Sequence, residues 1–182
     1  MYRLFFILIS LTVVIQPLKA QELYMPRTVK QAFKNETRSP DGRPGKNYWQ
    51  NFAKYNITIT ALPPDRTIKG SEQITYINNS PDTLRNIVVR IIQNIHKPNI
   101  IRYQTVSDNY ITEGTQIDSF KVKGQNVKMS ESDYHPTWQT LSLSKPLVPN
   151  DSIEISLVWH YQVSLESNRE GMIDSTSWFL AY

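Results

Sequence analysis

Ile153-Glu154-Ile155-Ser156-Leu157-Val158-Trp159-His160-Tyr161-Gln162-Val163 alternates bulky apolar residues with mostly polar ones. A period of two sends alternate side chains to opposite faces of a strand, so this stretch is a long strand with one apolar face. Upstream, Tyr55, Ile57, Ile59 and Ala61 alternate with Asn56, Thr58 and Thr60 before Pro63-Pro64-Asp65 turns the chain. Residues 68–77 form the next strand, with Ile68, Ile74 and Tyr76 sharing a face with Gly70 and Glu72, and Asn78-Asn79-Ser80-Pro81-Asp82 supplies its turn. Residues 87–92 are apolar except for Arg90, the pattern of a strand covered on both sides. Residues 118–129 read as a hairpin around Gly124-Gln125-Asn126, and residues 138–143 as a further short strand. No helical periodicity follows residue 52. The fold class is therefore all-β: an antiparallel β-sandwich or saddle-like sheet, carried by residues 53–182 behind an N-terminal extended arm.

That arm, residues 21–52, is polar, basic and broken by Pro26, Pro40 and Pro44. Pro26 suits the start of a helix, and Val29 and Phe33 lie four apart on one face, so residues 27–34 are predicted to form about two helical turns. Ser39-Pro40-Asp41-Gly42 is turn chemistry, and Tyr48, Trp49 and Phe52 are the expected anchors. The arm's basic residues share no helical face and read as solvated charge.

Residues 1–20 combine Arg3, an apolar run from Leu4 to Ile15 and a small residue, Ala20, before the expected cut. This is the pattern of a secretory signal peptide, and the run is too short for a membrane anchor. The chain is thus expected to be secreted or periplasmic, with no stable membrane anchor. The formal net charge of +4 over 182 residues is spread along the chain and gives no reason to expect a nucleic-acid partner. The absence of cysteine excludes disulfides, thiolate metal sites and thiol catalysis.

The chemistry-bearing residues do not assemble into a recognisable site. His96, His135 and His160 belong to no His-Glu-x-x-His pattern; His96 and His135 precede loop prolines, His160 lies on the polar register of its strand, and all three read as structural or solvated. There is no Gly-x-Ser-x-Gly elbow and no glycine-rich phosphate loop. Glu131 with Asp133, and Glu166 with Glu170, are carboxylate pairs whose default is solvated loop charge. Tyr103, Tyr110, Tyr134 and Trp138, in or near loops, leave a binding role open. No catalytic, cofactor-binding or metal position is assigned.

Ser177-Trp178-Phe179-Leu180-Ala181-Tyr182 is aromatic and apolar, whereas chain ends are usually polar. Such a segment needs a covering neighbour, and one expectation is that the chain is the front of a longer protein.

Four ordered blocks carry a resemblance. Tyr24-Met25-Pro26-Arg27 with Thr37-Arg38-Ser39-Pro40-Asp41-Gly42-Arg43-Pro44-Gly45-Lys46-Asn47-Tyr48-Trp49-Gln50-Asn51 opens the series. Ile74-Thr75-Tyr76-Ile77-Asn78-Asn79-Ser80-Pro81-Asp82-Thr83-Leu84, Gln93-Asn94-Ile95-His96-Lys97-Pro98, and Arg169-Glu170-Gly171-Met172 with Asp174-Ser175 follow. Together they resemble the N-terminal domain of secreted M1-family zinc metallopeptidases of the Bacteroidetes type, related to aminopeptidase N and leukotriene A4 hydrolase. The resemblance implies a non-catalytic β domain ahead of a catalytic domain in cis, in which His-Glu-x-x-His and a downstream Glu bind zinc and activate water to cleave peptides from the N-terminus. None of those residues occurs here, so zinc is expected only in the full-length parent, and this chain is expected to be inactive alone. The alternative is a free-standing secreted β-sandwich that binds a protein or glycan.

Mass spectrometry of the exported protein is expected to find Gln21 as the first residue; an exported chain that keeps residues 1–20 overturns the signal-peptide assignment.

Overall fold

The computed structural model describes residues 24–129, 135–166 and 170–180. The signal-peptide segment, Glu131, Asp133, Tyr134, Arg169, Ala181 and Tyr182 lie outside the described residues. The chain divides into two compact units, Met1–Tyr48 and Trp49–Tyr182, a boundary slightly ahead of the expected one at Phe52. Among the described residues no helix is long and apolar enough to cross a membrane.

The first unit contains the predicted helix, α1 (Arg27–Lys34), entered from Pro26. The Pro26 carbonyl accepts the Lys30 N–H at 3.1 Å, as the first turn requires. Val29, Ala32 and Phe33 are its half-buried side chains. Residues 35–47 then fold back on themselves. Gly42 N–H bonds to the Ser39 carbonyl at 3.1 Å, and Gly42 takes φ +85°, where a side chain is strained. Arg38 and Pro44 form an antiparallel bridge, and Gly45 N–H reaches the Thr37 carbonyl at 3.1 Å. A Cβ on Gly45 would stand 2.0 Å from the Glu36 carbonyl oxygen, so the loop closes only with glycine there. The Ser39 hydroxyl, and next the Arg43 backbone N–H, hold the Asp41 carboxyl below its usual range.

The second unit is all-β. Its larger sheet runs β1 (Phe52–Ala61), β2 (Thr67–Ile77), β7 (Ser152–Gln162), β4 (Gln116–Val122), β5 (Gln125–Asn126), every neighbour antiparallel. A second layer pairs β3 (Leu84–Arg90) with β6 (Trp138–Leu147), and a hairpin joins β8 (Glu170–Asp174) to β9 (Ser177–Leu180). The register places Ile155 opposite Ile74, Leu157 opposite Glu72 and Trp159 opposite Gly70, uniting the apolar faces read from the sequence. Phe120, Leu141, Ile155 and Leu157 form the central core, with Ile87 and Val89 of β3 packed against it. Ile68, Tyr161 and Val163 form a second cluster, covered by Trp159 and Trp178.

Four expectations change. Strand β3 is covered on one side only: Ile87 and Val89 turn inward while Val88 stays 51% exposed, because β3 belongs to the outer layer of a sandwich. The β4–β5 hairpin turns one position earlier than predicted, at Lys123-Gly124, both with positive φ as a tight primed turn requires. Finally, Tyr55, Ile57 and Ile59 remain half-exposed, since β1 is a sheet edge and the covering layer is only two strands wide. Trp49 and Phe52, expected as anchors, are likewise exposed at 42% and 57%.

The turn after β2 is tied down by one side chain. Asn78 is fully buried. Its Nδ2 donates to the carbonyls of Asp82 at 2.8 Å and Leu147 at 3.0 Å, and its Oδ1 accepts from the Ser80 hydroxyl at 2.6 Å and the Ser80 N–H at 3.1 Å. Its backbone N–H reaches the Asp151 carbonyl at 3.0 Å, and its carbonyl accepts the Asn150 N–H at 2.7 Å. Asn51 adds a second clasp: its Oδ1 accepts the N–H groups of Asn79 and Ser80, and its Nδ2 donates to the Tyr76 hydroxyl at 2.9 Å. Asn78→Ala strands buried carbonyls at both ends of this knot and is expected to cost about 3 kcal/mol, lowering Tm by roughly 10 °C. Asn79→Ala, at the exposed neighbour, is expected to cost under about 1 kcal/mol. Equal losses in thermal unfolding would remove the special role of Asn78.

Candidate functional site

The inner face of β1, β2 and β7 is apolar at every position except Gly70 and Glu72. Gly70 lies under the Trp159 indole: a Cβ there would come within 2.3 Å of the ring. Glycine lets the indole lie across β2, and Trp159 Nε1–H then donates to Glu72 Oε1 at 3.1 Å. Burial raises the Glu72 carboxyl above the ordinary carboxylate value, and the Trp159 hydrogen bond draws it part of the way back. Between the two layers is a cavity of about 350 Å³, whose lining includes Glu72, Tyr55, Tyr76, Arg90, Trp159 and Tyr161. Trp159 and Tyr161 stack with centroids 5.9 Å apart.

A second polar cluster lies where the chain leaves β3. His96 ends a single 3-10 turn, Ile92–His96, and is buried together with Glu170 of β8. His96 Nδ1 is 2.9 Å from the Tyr110 carbonyl oxygen, which only accepts, so Nδ1 carries its hydrogen. His96 Nε2 faces Glu170 Oε1 at 2.8 Å across a single proton, and Gln93 Nε2 donates to Glu170 Oε2 at 2.8 Å. Tyr110 covers the imidazole with ring centroids 4.2 Å apart. Arg102 reaches over Tyr110 and donates to the carbonyls of Ile95, at 2.9 Å, and Lys97. Burial raises the Tyr110 hydroxyl; Arg102 opposes this, and the Glu170 carboxylate adds to it.

His96 and Glu170 are therefore neither loop residues nor solvated charge; they form a buried pair that fastens the β8–β9 hairpin to the turn after β3. Glu166, read as the partner of Glu170, instead accepts from the Ser107 hydroxyl at 2.7 Å on the surface. His160 does lie on the wet face, with Nδ1 2.8 Å from Asp118 Oδ2 and both side chains over a third exposed. His135 stacks on Trp138 at 4.2 Å. Among the described residues no group of three or more His, Asp or Glu side chains can hold a metal ion. Of the loop aromatics, Tyr103 is fully exposed, while Tyr110 is committed to His96. The signal missed at Glu72 was already in the pattern: a charge on the apolar register, two residues after a glycine.

Removing one member of a buried pair leaves the other uncompensated, so Glu170→Ala is expected to cost about 3–5 kcal/mol. In Glu170→Gln the new amide donates to a neutral His96 Nε2 while its oxygen still accepts from Gln93, so the cost is expected to stay below about 1 kcal/mol. Denaturant unfolding of both variants checks this, and equal losses would show that the charge, not the hydrogen bonding, matters.

No family model matches the chain, and no curated protein matches it in sequence. Among solved structures, the chain is similar to an M1 zinc metallopeptidase from Deinococcus radiodurans, with a TM-score of 0.45 and 15% identity over 76% of this chain and 26% of that one. A mutant of the Deinococcus radiodurans M1 zinc metallopeptidase bound to a Tyr-Ser-Ala substrate matches with a TM-score of 0.45 and 15% identity over 77% and 26%. A two-domain M1 zinc metallopeptidase mutant bound to L-arginine matches with a TM-score of 0.43 and 15% identity over 69% and 24%. The chain spans about a quarter of the length of these structures.

Proposed function

We propose that this chain is the N-terminal, non-catalytic β domain of an exported M1-type zinc aminopeptidase, whose catalytic domain in cis removes residues from the N-terminus of peptides. One observation carries the reading: the four sequence blocks that resemble this family join in pairs through the backbone and side chains of the fold. Gln50 and Asn51, which end the first block, bond to Asn79 and Ser80 of the second. Gln93 and His96 of the third meet Glu170 of the fourth. That residues resembling one family in order along the chain also bond to one another across 29 and 77 positions of sequence supports reading them as parts of one scaffold. The zinc of the parent, as the resemblance implies, would belong to its catalytic domain. Export is read from the pattern of residues 1–20.

Residues 21–182, purified alone, are expected to leave aminoacyl-nitroanilides uncleaved with or without added zinc. The native protein, recovered from the cells that make it, is expected to be several times heavier and to carry a His-Glu-x-x-His segment encoded beyond the Tyr182 codon. Chelator-sensitive cleavage by residues 21–182 alone would overturn the non-catalytic assignment. A native mass matching those residues would favour a free-standing binding domain.

A further inference from the structure

We propose that the cleft between the two β layers binds an organic cation, an ammonium or guanidinium group on an apolar stem, with Glu72 as its counter-charge. The position is unusual on physical grounds. Along β2 the neighbours on the same face are Ile68, Gly70, Ile74 and Tyr76, and the residues opposite Glu72 are Ile57 on β1 and Leu157 on β7. Glu72 is half-buried among these groups, so its carboxylate gives up part of its hydration with no cation in return. Among the described residues Glu72 has no ion pair, and the Trp159 indole N–H is its one hydrogen-bond partner. That bond uses Oε1 and leaves Oε2 for a ligand.

The walls suit the same chemistry. Tyr55, Tyr76, Trp159 and Tyr161 line the cavity together with Glu72. Aromatic faces attract cations, most strongly where water is excluded. The volume of about 350 Å³ fits a small amine or the end of one long side chain. Arg90 borders the cavity from β3 but is exposed and does not neutralise the carboxylate. Gly70 and Trp159 make this a built site: the glycine admits the indole, and the indole fixes one carboxylate oxygen. The inference does not depend on the peptidase reading.

The test is a titration of the exported protein with phenethylammonium chloride, followed at the Trp159 indole N–H resonance, which Trp159→Phe assigns. The expected dissociation constant is on the order of 1 mM. The uncharged twin, 2-phenylethanol, is expected to bind at least about tenfold more weakly, and Glu72→Gln to lose about tenfold in ammonium affinity while still accepting the indole N–H. A peptide with one internal lysine, compared with its acetyl-lysine form, separates the sources. A shift with the lysine peptide assigns the cation to a protein side chain, and a shift with the free amine alone assigns it to a small molecule. A resonance that moves with neither overturns the proposal, as does equal binding of the amine and the alcohol, or unchanged ammonium affinity in Glu72→Gln. Should Glu72→Gln not fold, the amine and alcohol comparison on the unmodified protein decides.

Discussion

Asn78 is the residue on which the sandwich turns. It ends β2 in the larger sheet, yet its amide donates to Leu147 at the end of β6 in the smaller one, and its backbone is bonded on both sides to the turn that leads into β7. A buried amide is costly when unpaired and close to neutral when every donor and acceptor is used. Here all are used, so the energetic consequence lies less in a net gain than in the penalty for any other arrangement. In this arrangement Leu84 pairs with Leu147, and the inner faces of the two layers meet over Phe120, Ile155 and Leu157. The knot thus holds the ends of β2 and β6 beside one another and beside the turn that leads into β7.

The legible part of the sequence was its local periodicity. The alternation from Ile153 to Val163 marked the central strand, Pro26 with Val29 and Phe33 marked α1, and the Asn-Asn-Ser-Pro-Asp run marked a turn. Each rests on interactions within a few residues. What periodicity does not encode is which strand lies at an edge. Strand β1 has as clean an alternation as β7, but its apolar residues stay half-exposed because nothing local states the width of the opposing layer. The same holds for β3, whose continuous apolar run gave two covered faces where the outer layer has one.

The polar clusters were illegible for a different reason. His96 and Glu170 are ordinary in their own neighbourhoods: one stands before Lys97-Pro98, the other beside a glycine in a charged stretch. Their burial is a property of the pair, created when β8 returns to the turn after β3. Glu72 differs, because its own strand exposes the anomaly. A charge on an apolar register is a local contradiction, and such contradictions concentrate where a chain gives up stability for something else.

The two kinds of polar residue also divide between scaffold and chemistry. Asn51, Asn78, Gln93, His96 and Glu170 all fall inside the blocks that carry the family resemblance, and all have hydrogen-bonding partners that hold the fold together. Their bonding partners report how the domain is built, not what it acts on. Gly70, Glu72 and Trp159 fall outside every block; the Trp159–Glu72 bond joins β7 to β2 and also positions a carboxylate beside a cavity. A fold that needed only a wall would place an aliphatic residue at position 72, where the core is otherwise continuous from Ile74 to Ile155 and Leu157. The charge at position 72 is thus the feature of the inner face that apolar packing does not call for, and the proposed recognition of a cation accounts for it.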